Sequence, residues 1–169
     1  MAFTYSKLAE STVGVGGTSA ITFNNIPQNY TDLVLKFSLR DNYASVSVNC
    51  GIKVNGSSSN LTGRVLFGTG SAANSTTITD SVAYTVGTSG TANTFSSSEV
   101  YIPNYTSGTN KSMSVESAAE SNTATVYMQM VAELWSNVTA INQLTLYPVN
   151  ATLFTQYSTA TLYGIRVEL

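Results

Sequence analysis

The chain has no histidine, a single cysteine and few charges of either sign, and each shortage removes a class of chemistry. Without imidazole there is no Ser-His-Asp or Cys-His nucleophilic machinery, and the commonest transition-metal ligand is missing. One cysteine supplies neither a structural zinc site nor an internal disulfide. Charged residues make up 9% of the chain, against about a quarter in an ordinary domain. The seven basic residues are scattered singly and the net charge is -2, which leaves no extended positive field for nucleic acid. No hydrophobic run approaches the ~18 residues of a membrane span, and Met1–Lys7 lacks the basic-then-apolar pattern of a signal peptide. The expectation is a chain made in a cytoplasm and addressed to no membrane.

Hydroxyl and amide side chains take the place of charge: 23 Ser, 24 Thr and 15 Asn among 169 residues. Thr suits a pleated, half-wet surface, while Ser and Asn suit turns, so this composition favours strands over helices. Low charge together with ten Tyr and six Phe also fits a chain whose surface is partly subunit interface, because interface cores lose charges and keep aromatics.

Alternation at period two runs through the whole length. In 33–40, Leu33, Leu35, Phe37 and Leu39 share one face, with Lys36, Ser38 and Arg40 on the other. The run 46–54 alternates and places Cys50 on the Val/Ile face as a small core residue. Asn55-Gly56 follows as a tight hairpin turn, with 61–67 as the returning strand, bulged at Gly63. Residues 68–93 read as a long surface excursion with one weak strand. Further strands are expected over 94–102, 111–117, 124–135, 141–147 and 159–169. In 124–135 the alternating set is Val126, Met128, Met130, Ala132 and Leu134; in the last strand it is Thr161, Tyr163, Ile165 and Val167. The expected fold is all-β: one jelly-roll-like β-sandwich domain of about ten strands over 1–169, with a short N-terminal arm at about 1–8.

Little in this frame offers chemistry, and no cofactor or metal is implied. A glycosidase needs two carboxyls facing across a cleft, for which Glu116, Glu120 and Glu133 are the candidates; the alternative is that they are solvated strand-edge charges. Gly14–Gly17 lacks the Lys-Ser/Thr of a phosphate loop and reads as a turn. Asp32, Asp41 and Asp80 are too dispersed for a calcium loop. The Asn-x-Ser/Thr triplets, at Asn29, Asn60, Asn104 and Asn137 among others, follow from composition. Trp135 and the tyrosines are core or interface; the sharper reading is a binding platform built from Tyr43, Tyr84 or Tyr105.

Four segments carry a resemblance: SAITFNNIPQNYTDLVLK over 19–36, VYIPNYTSGTNKS over 100–112, LWSNVTAINQLTL over 134–146 and FTQYSTATLYGI over 154–165. Together they resemble small virion structural proteins of tailed bacteriophages, particularly of aquatic and cyanobacterial hosts, across most of the chain except 68–93. The resemblance implies a virion structural role and carries over no catalytic residue. Beside it, the absence of heptads or a collagen-like shaft favours a cap on the shell over a fibre tip. The reading is a capsid decoration or cement protein on the phage head surface, a homotrimer bound to the major capsid protein. Phe3, Tyr5, Tyr30, Tyr105 and Trp135 are its candidate interface residues. The alternative is an adsorption module of a tail or head fibre that binds host surface glycan through the Ser/Thr/Asn-rich loops.

Overall fold

The computed structural model describes residues 3–79, 81–123 and 127–167, and among these there are twelve strands and no helix. Two antiparallel sheets form a sandwich. In chain order the strands are β1 (Phe3–Thr12), β2 (Ile21–Phe23), β3 (Asp32–Ser38), β4 (Ser47–Val54), β5 (Leu61–Gly68) and β6 (Ala73–Ile78), then β7 (Ala83–Val86), β8 (Ser97–Ile102), β9 (Lys111–Ala119), β10 (Tyr127–Trp135), β11 (Leu144–Pro148) and β12 (Thr159–Val167). The larger sheet runs β1-β12-β3-β8-β9-β10-β5-β6 and the smaller β2-β11-β4-β7. The expected sandwich is there, with unequal layers of eight and four strands, where a jelly roll divides eight strands between two sheets.

The chain crosses between the sheets repeatedly in its first half, so neither layer closes without the other. Leu33, Leu35 and Phe37 of β3, Val100 and Ile102 of β8, and Val115 of β9 face inward from the large sheet. Ile52 and Val54 of β4 and Leu144 and Leu146 of β11 meet them from the small one. Each such side chain, nearly or fully sealed from water, contributes about 1.5–3 kcal/mol of transfer free energy. Cys50 is fully buried in this core, and burial pushes its thiol pKa far up, so it is an inert packing group. Asn does much of the turning: six of the eight non-glycine residues at positive φ are Asn25, Asn55, Asn60, Asn93, Asn104 and Asn122. Gly14–Gly17 is a turn closed by Gly17 N donating to Gly14 O.

Several expectations need correction. The segment read as a short N-terminal arm at about 1–8 is, from Phe3 onward, part of β1, paired with β12 from Phe3↔Val167 to Thr12↔Thr159; residues 1 and 2 lie outside the described set. Asn55 and Gly56 do make the tight two-residue turn, with Val54 and Ser57 exchanging backbone hydrogen bonds. The chain then leaves for the other sheet, so β5 pairs with β10 and β6 and not with β4. Register through Gly63 is continuous, without a bulge. The glycine is there because a Cβ would collide with the Glu133 carboxyl and with Ile78. The excursion 68–93 holds two strands, and the second is core: Ala83, Thr85 and Val86 of β7 are fully buried.

Candidate functional site

The largest departure from ordinary surface chemistry lies on the outer face of the eight-stranded sheet. β10 alternates strictly, with Gln129, Val131, Glu133 and Trp135 buried and Met128, Met130, Ala132 and Leu134 exposed. The apolar-looking set therefore faces solvent, and the set containing an amide and a carboxyl faces the core. The inner set has specific tasks. Gln129 Nε2 donates to Val82 O at 2.8 Å, and in the same region Ser117 Oγ of β9 accepts from Tyr84 N at 3.2 Å and donates to Tyr84 O at 3.3 Å. These two side chains tie the large sheet to β7 of the small one. A methionine at 129 would leave the Val82 carbonyl without that donor.

Outside, cross-strand register gathers the apolar residues into one strip. Met130 is directly opposite Leu66 of β5, and Met128 and Leu134 flank it along the same face. Met128 is 69% exposed, Leu66 56%, Met130 55% and Leu134 38%. Isolated apolar side chains on a surface are ordinary; a contiguous strip marks an interaction surface. A depression of about 650 Å³ adjoins the strip, lined by Arg64, Leu66, Tyr101, Pro103, Met130 and Ala132 among others.

The other half of this face is polar. Thr161, Lys36, Glu99 and Glu116 follow one another across β12, β3, β8 and β9, and the row continues into Met130 and Leu66. Lys36 Nζ lies 2.9 Å from Glu99 Oε2. Lys36, Glu99, Glu116, Thr159 and Thr161 line a second depression of about 540 Å³. At the β1 edge, Tyr5 packs edge-to-face on Tyr163. Tyr101 Oη donates to Asp32 Oδ2, whose other oxygen accepts from Asn104 N, each at 2.9 Å. The last strand presents Thr161 and Tyr163 on this outer face, with Ile165 covered, while Ala160 and Leu162 point into the core.

The five interface residues expected from sequence do not come together. Tyr5 is exposed on the outer face, and Phe3 is placed by its backbone pairing alone, its side chain lying outside the described set. Tyr105 is fully buried and its hydroxyl donates to Pro27 O. Trp135 is 2% exposed beneath the Lys111 ammonium, 5.4 Å from its ring. Tyr30 is partly buried, its ring filling the space a side chain at 164 would need. Large rings are drawn inward because their burial removes a large apolar area from water. Of the other tyrosines, Tyr43 is exposed and Tyr84 stacks on Tyr127 with centroids 4.1 Å apart.

The carboxylates are equally dispersed. Glu116 stands on the outer face and Glu133 on the inner, so the two cannot act across one cleft. Glu120 accepts from Asn122 N at 2.6 Å in a turn. Asp41 is buried, accepting from Tyr43 N and Thr152 Oγ1, each at 2.7 Å, and Asp80 lies outside the described residues. Among the described residues no cluster of three metal-ligating side chains occurs. Besides Asp41, the ionisable side chains of Lys111 and Glu133 are also buried. Lys111 donates to the carbonyls of Ser107 at 2.7 Å and Thr139 at 2.5 Å, pinning two loops; burial lowers its pKa. Glu133, whose Oε2 has no hydrogen-bond partner, has its pKa pushed up to about 7 by desolvation.

The fold and site together define an all-β sandwich whose distinctive feature is an exposed face that is apolar on one half and hydroxyl-rich and charged on the other. Comparison with known proteins returns no match to any family model, curated protein or solved structure.

Proposed function

We propose that this chain is a structural protein of a bacteriophage virion, a decoration or cement protein that trimerises on the head and stabilises the shell. The observation that carries the reading is the exposed Met128, Met130, Leu66 and Leu134 strip, which register gathers on one sheet face, whereas Val15, Val138 and Tyr157 are exposed outside the strands. Flexible methionines adapt to a partner surface, and the strip lies on sheet strands that hold it in fixed register. Docked on the major capsid protein, the strip leaves water and binds only where the assembled lattice presents the matching surface. Such binding shifts the equilibrium toward the assembled shell by mass action. The resemblance of four segments to tailed-phage virion proteins points the same way.

Protein quantification on purified particles tests this. The expected result is copy numbers on the scale of the capsid lattice, with heads from phage lacking the gene losing surface protrusions and breaking at lower temperature. Particles that keep every protrusion and lose only fibres would overturn the decoration role. A second reading, adsorption to host glycan by a tail or head fibre, draws on the depression beside Lys36, Glu99 and Glu116, whose hydroxyls and carboxylates match the hydrogen-bonding pattern of sugars. Binding to host polysaccharide that is lost in E99A would favour it.

A further inference from the structure

We propose that two copies of this chain join edge to edge through β6, antiparallel about a two-fold axis, continuing the eight-stranded sheet from one copy into the next. The argument rests on how the four sheet edges are protected. An open edge presents a row of backbone donors and acceptors that fits another strand, and proteins that must stay apart blunt it by brevity, charge, bulges or covering groups. β2 is three residues long. β7 is covered from the other sheet, where Ser117 bonds both backbone groups of Tyr84. β1 carries a register shift between Lys7 and Ala9 and the exposed Lys7–Glu10 ion pair. β6 has none of these devices.

Its six residues, Ala73-Asn-Ser-Thr-Thr-Ile78, contain no charge and no proline, and all but Ile78 are exposed. Register with β5 is unbroken from Gly63↔Ile78 to Gly68↔Ala73, so the strand is regular up to its free side. Among the described residues, no strand pairs with that side. A second copy is the occupant that satisfies the edge with no further requirement. An antiparallel contact between identical strands is self-complementary under a two-fold axis, and neutral Asn, Ser and Thr oppose one another without like-charge repulsion. The contact is also continuous with the apolar strip, since Ser75 pairs with Leu66, which pairs with Met130. Joining two β6 edges therefore places two strips on one extended outer face.

A ladder six residues long is a small interface, below the ~1,200 Å² of a stable pair. It forms where copies are held at high density, as on an ordered surface. The contact does not depend on what the outer face binds.

The test introduces a cysteine in turn at Asn74, Ser75, Thr76 and Thr77; the chain's own Cys50 is buried and silent. Each variant is treated with a short bismaleimide in concentrated solution. Cross-linked dimer is expected to peak at one position near the middle of the strand and fall toward its ends. Adding T76K, on an exposed side chain, is expected to reduce the yield at least tenfold while the circular dichroism spectrum stays unchanged. A flat profile, no cross-link, or a peak indifferent to T76K would overturn the proposal. None of these outcomes bears on copy number in virions, so the two readings fail separately.

Discussion

On its inner face β10 carries Gln129 and Glu133, both sealed from water, while on its outer face Met128 and Met130 stand in solvent. Hydrophobicity alone would turn the strand over, because a shift of one residue exchanges the two faces. What holds the observed face inward is Val131 and Trp135, both core residues, together with the Gln129 bond to Val82. Trp135 buries more area than any side chain on the outer set. The comparison teaches that a strand's inward face is decided by fit and by partners for its polar groups, and not by hydrophobicity alone.

The strongest way to break the inner face is W135A. It removes the largest side chain of β10 and leaves the Lys111 ammonium over a void, so a loss of about 3–5 kcal/mol is expected in denaturant unfolding. A loss under about 1 kcal/mol would mean that Trp135 does not anchor the strand.

Next comes Glu133. Its pKa lies at about 7 when folded, against an ordinary 4.5, because burial disfavours the charged form. The folded state therefore holds the proton more tightly than the unfolded chain does between those values. The contribution is complete below about pH 4.5, declines as the pH rises through 7, and is gone above it, a change of about 3 kcal/mol. E133Q keeps the shape without the charge. Its unfolding free energy is expected to lose this slope, making it the more stable protein at pH 8 and closest to wild type at pH 4. A wild-type profile that is flat between pH 4 and 8 would mean that the carboxyl is hydrated in solution.

A smaller effect is expected from Q129A, which leaves the Val82 carbonyl without its donor in a dry region: about 1–3 kcal/mol. Added to S117A, the loss is expected to exceed the sum of the two single changes, because both side chains tie the large sheet to the same segment of the small one. Strict additivity in a double-mutant cycle would show that the ties act independently.

How much of this was readable beforehand follows the same division. Period-two burial in β3 and β4 was legible because Leu33, Leu35 and Phe37, and likewise Val48, Cys50, Ile52 and Val54, put their apolar residues on the face that is buried. The face of β10 was not, because its polar inward residues make sense only once Val82 and Gly63 are known to lie against them, and both come from distant parts of the chain. Nor could Asn55-Gly56 reveal that the next strand joins the other sheet, since a tight turn fixes local geometry and not the partner. The two strands within 68–93 were hard to read for different reasons. β6 has exposed side chains and almost no apolar residue, and β7 is only four residues long and buries Ala83 and Thr85, which carry little hydrophobic signal, beside Val86. The aromatic candidates failed because the size that makes a ring a good contact also makes it a good core residue; only exposure distinguishes Tyr5 from Tyr105.

The smallest effect on folding, and the sharpest test of the outer face, is M130S combined with L66S. Both side chains are more than half exposed and oppose each other across β5 and β10. Substitutions at such positions are expected to change unfolding free energy by no more than about 0.5 kcal/mol each, because the apolar area they remove is already in water. If the strip is kept for a partner, its loss appears elsewhere, as weaker retention on purified heads in a sedimentation assay. Retention unchanged, with stability unchanged, would make the strip incidental. A large loss of stability would instead show that Met130 and Leu66 are part of what holds β5 to β10. The asymmetry sought is therefore between two readouts of one variant: a face that costs little to alter in the free protein and much in the assembled one.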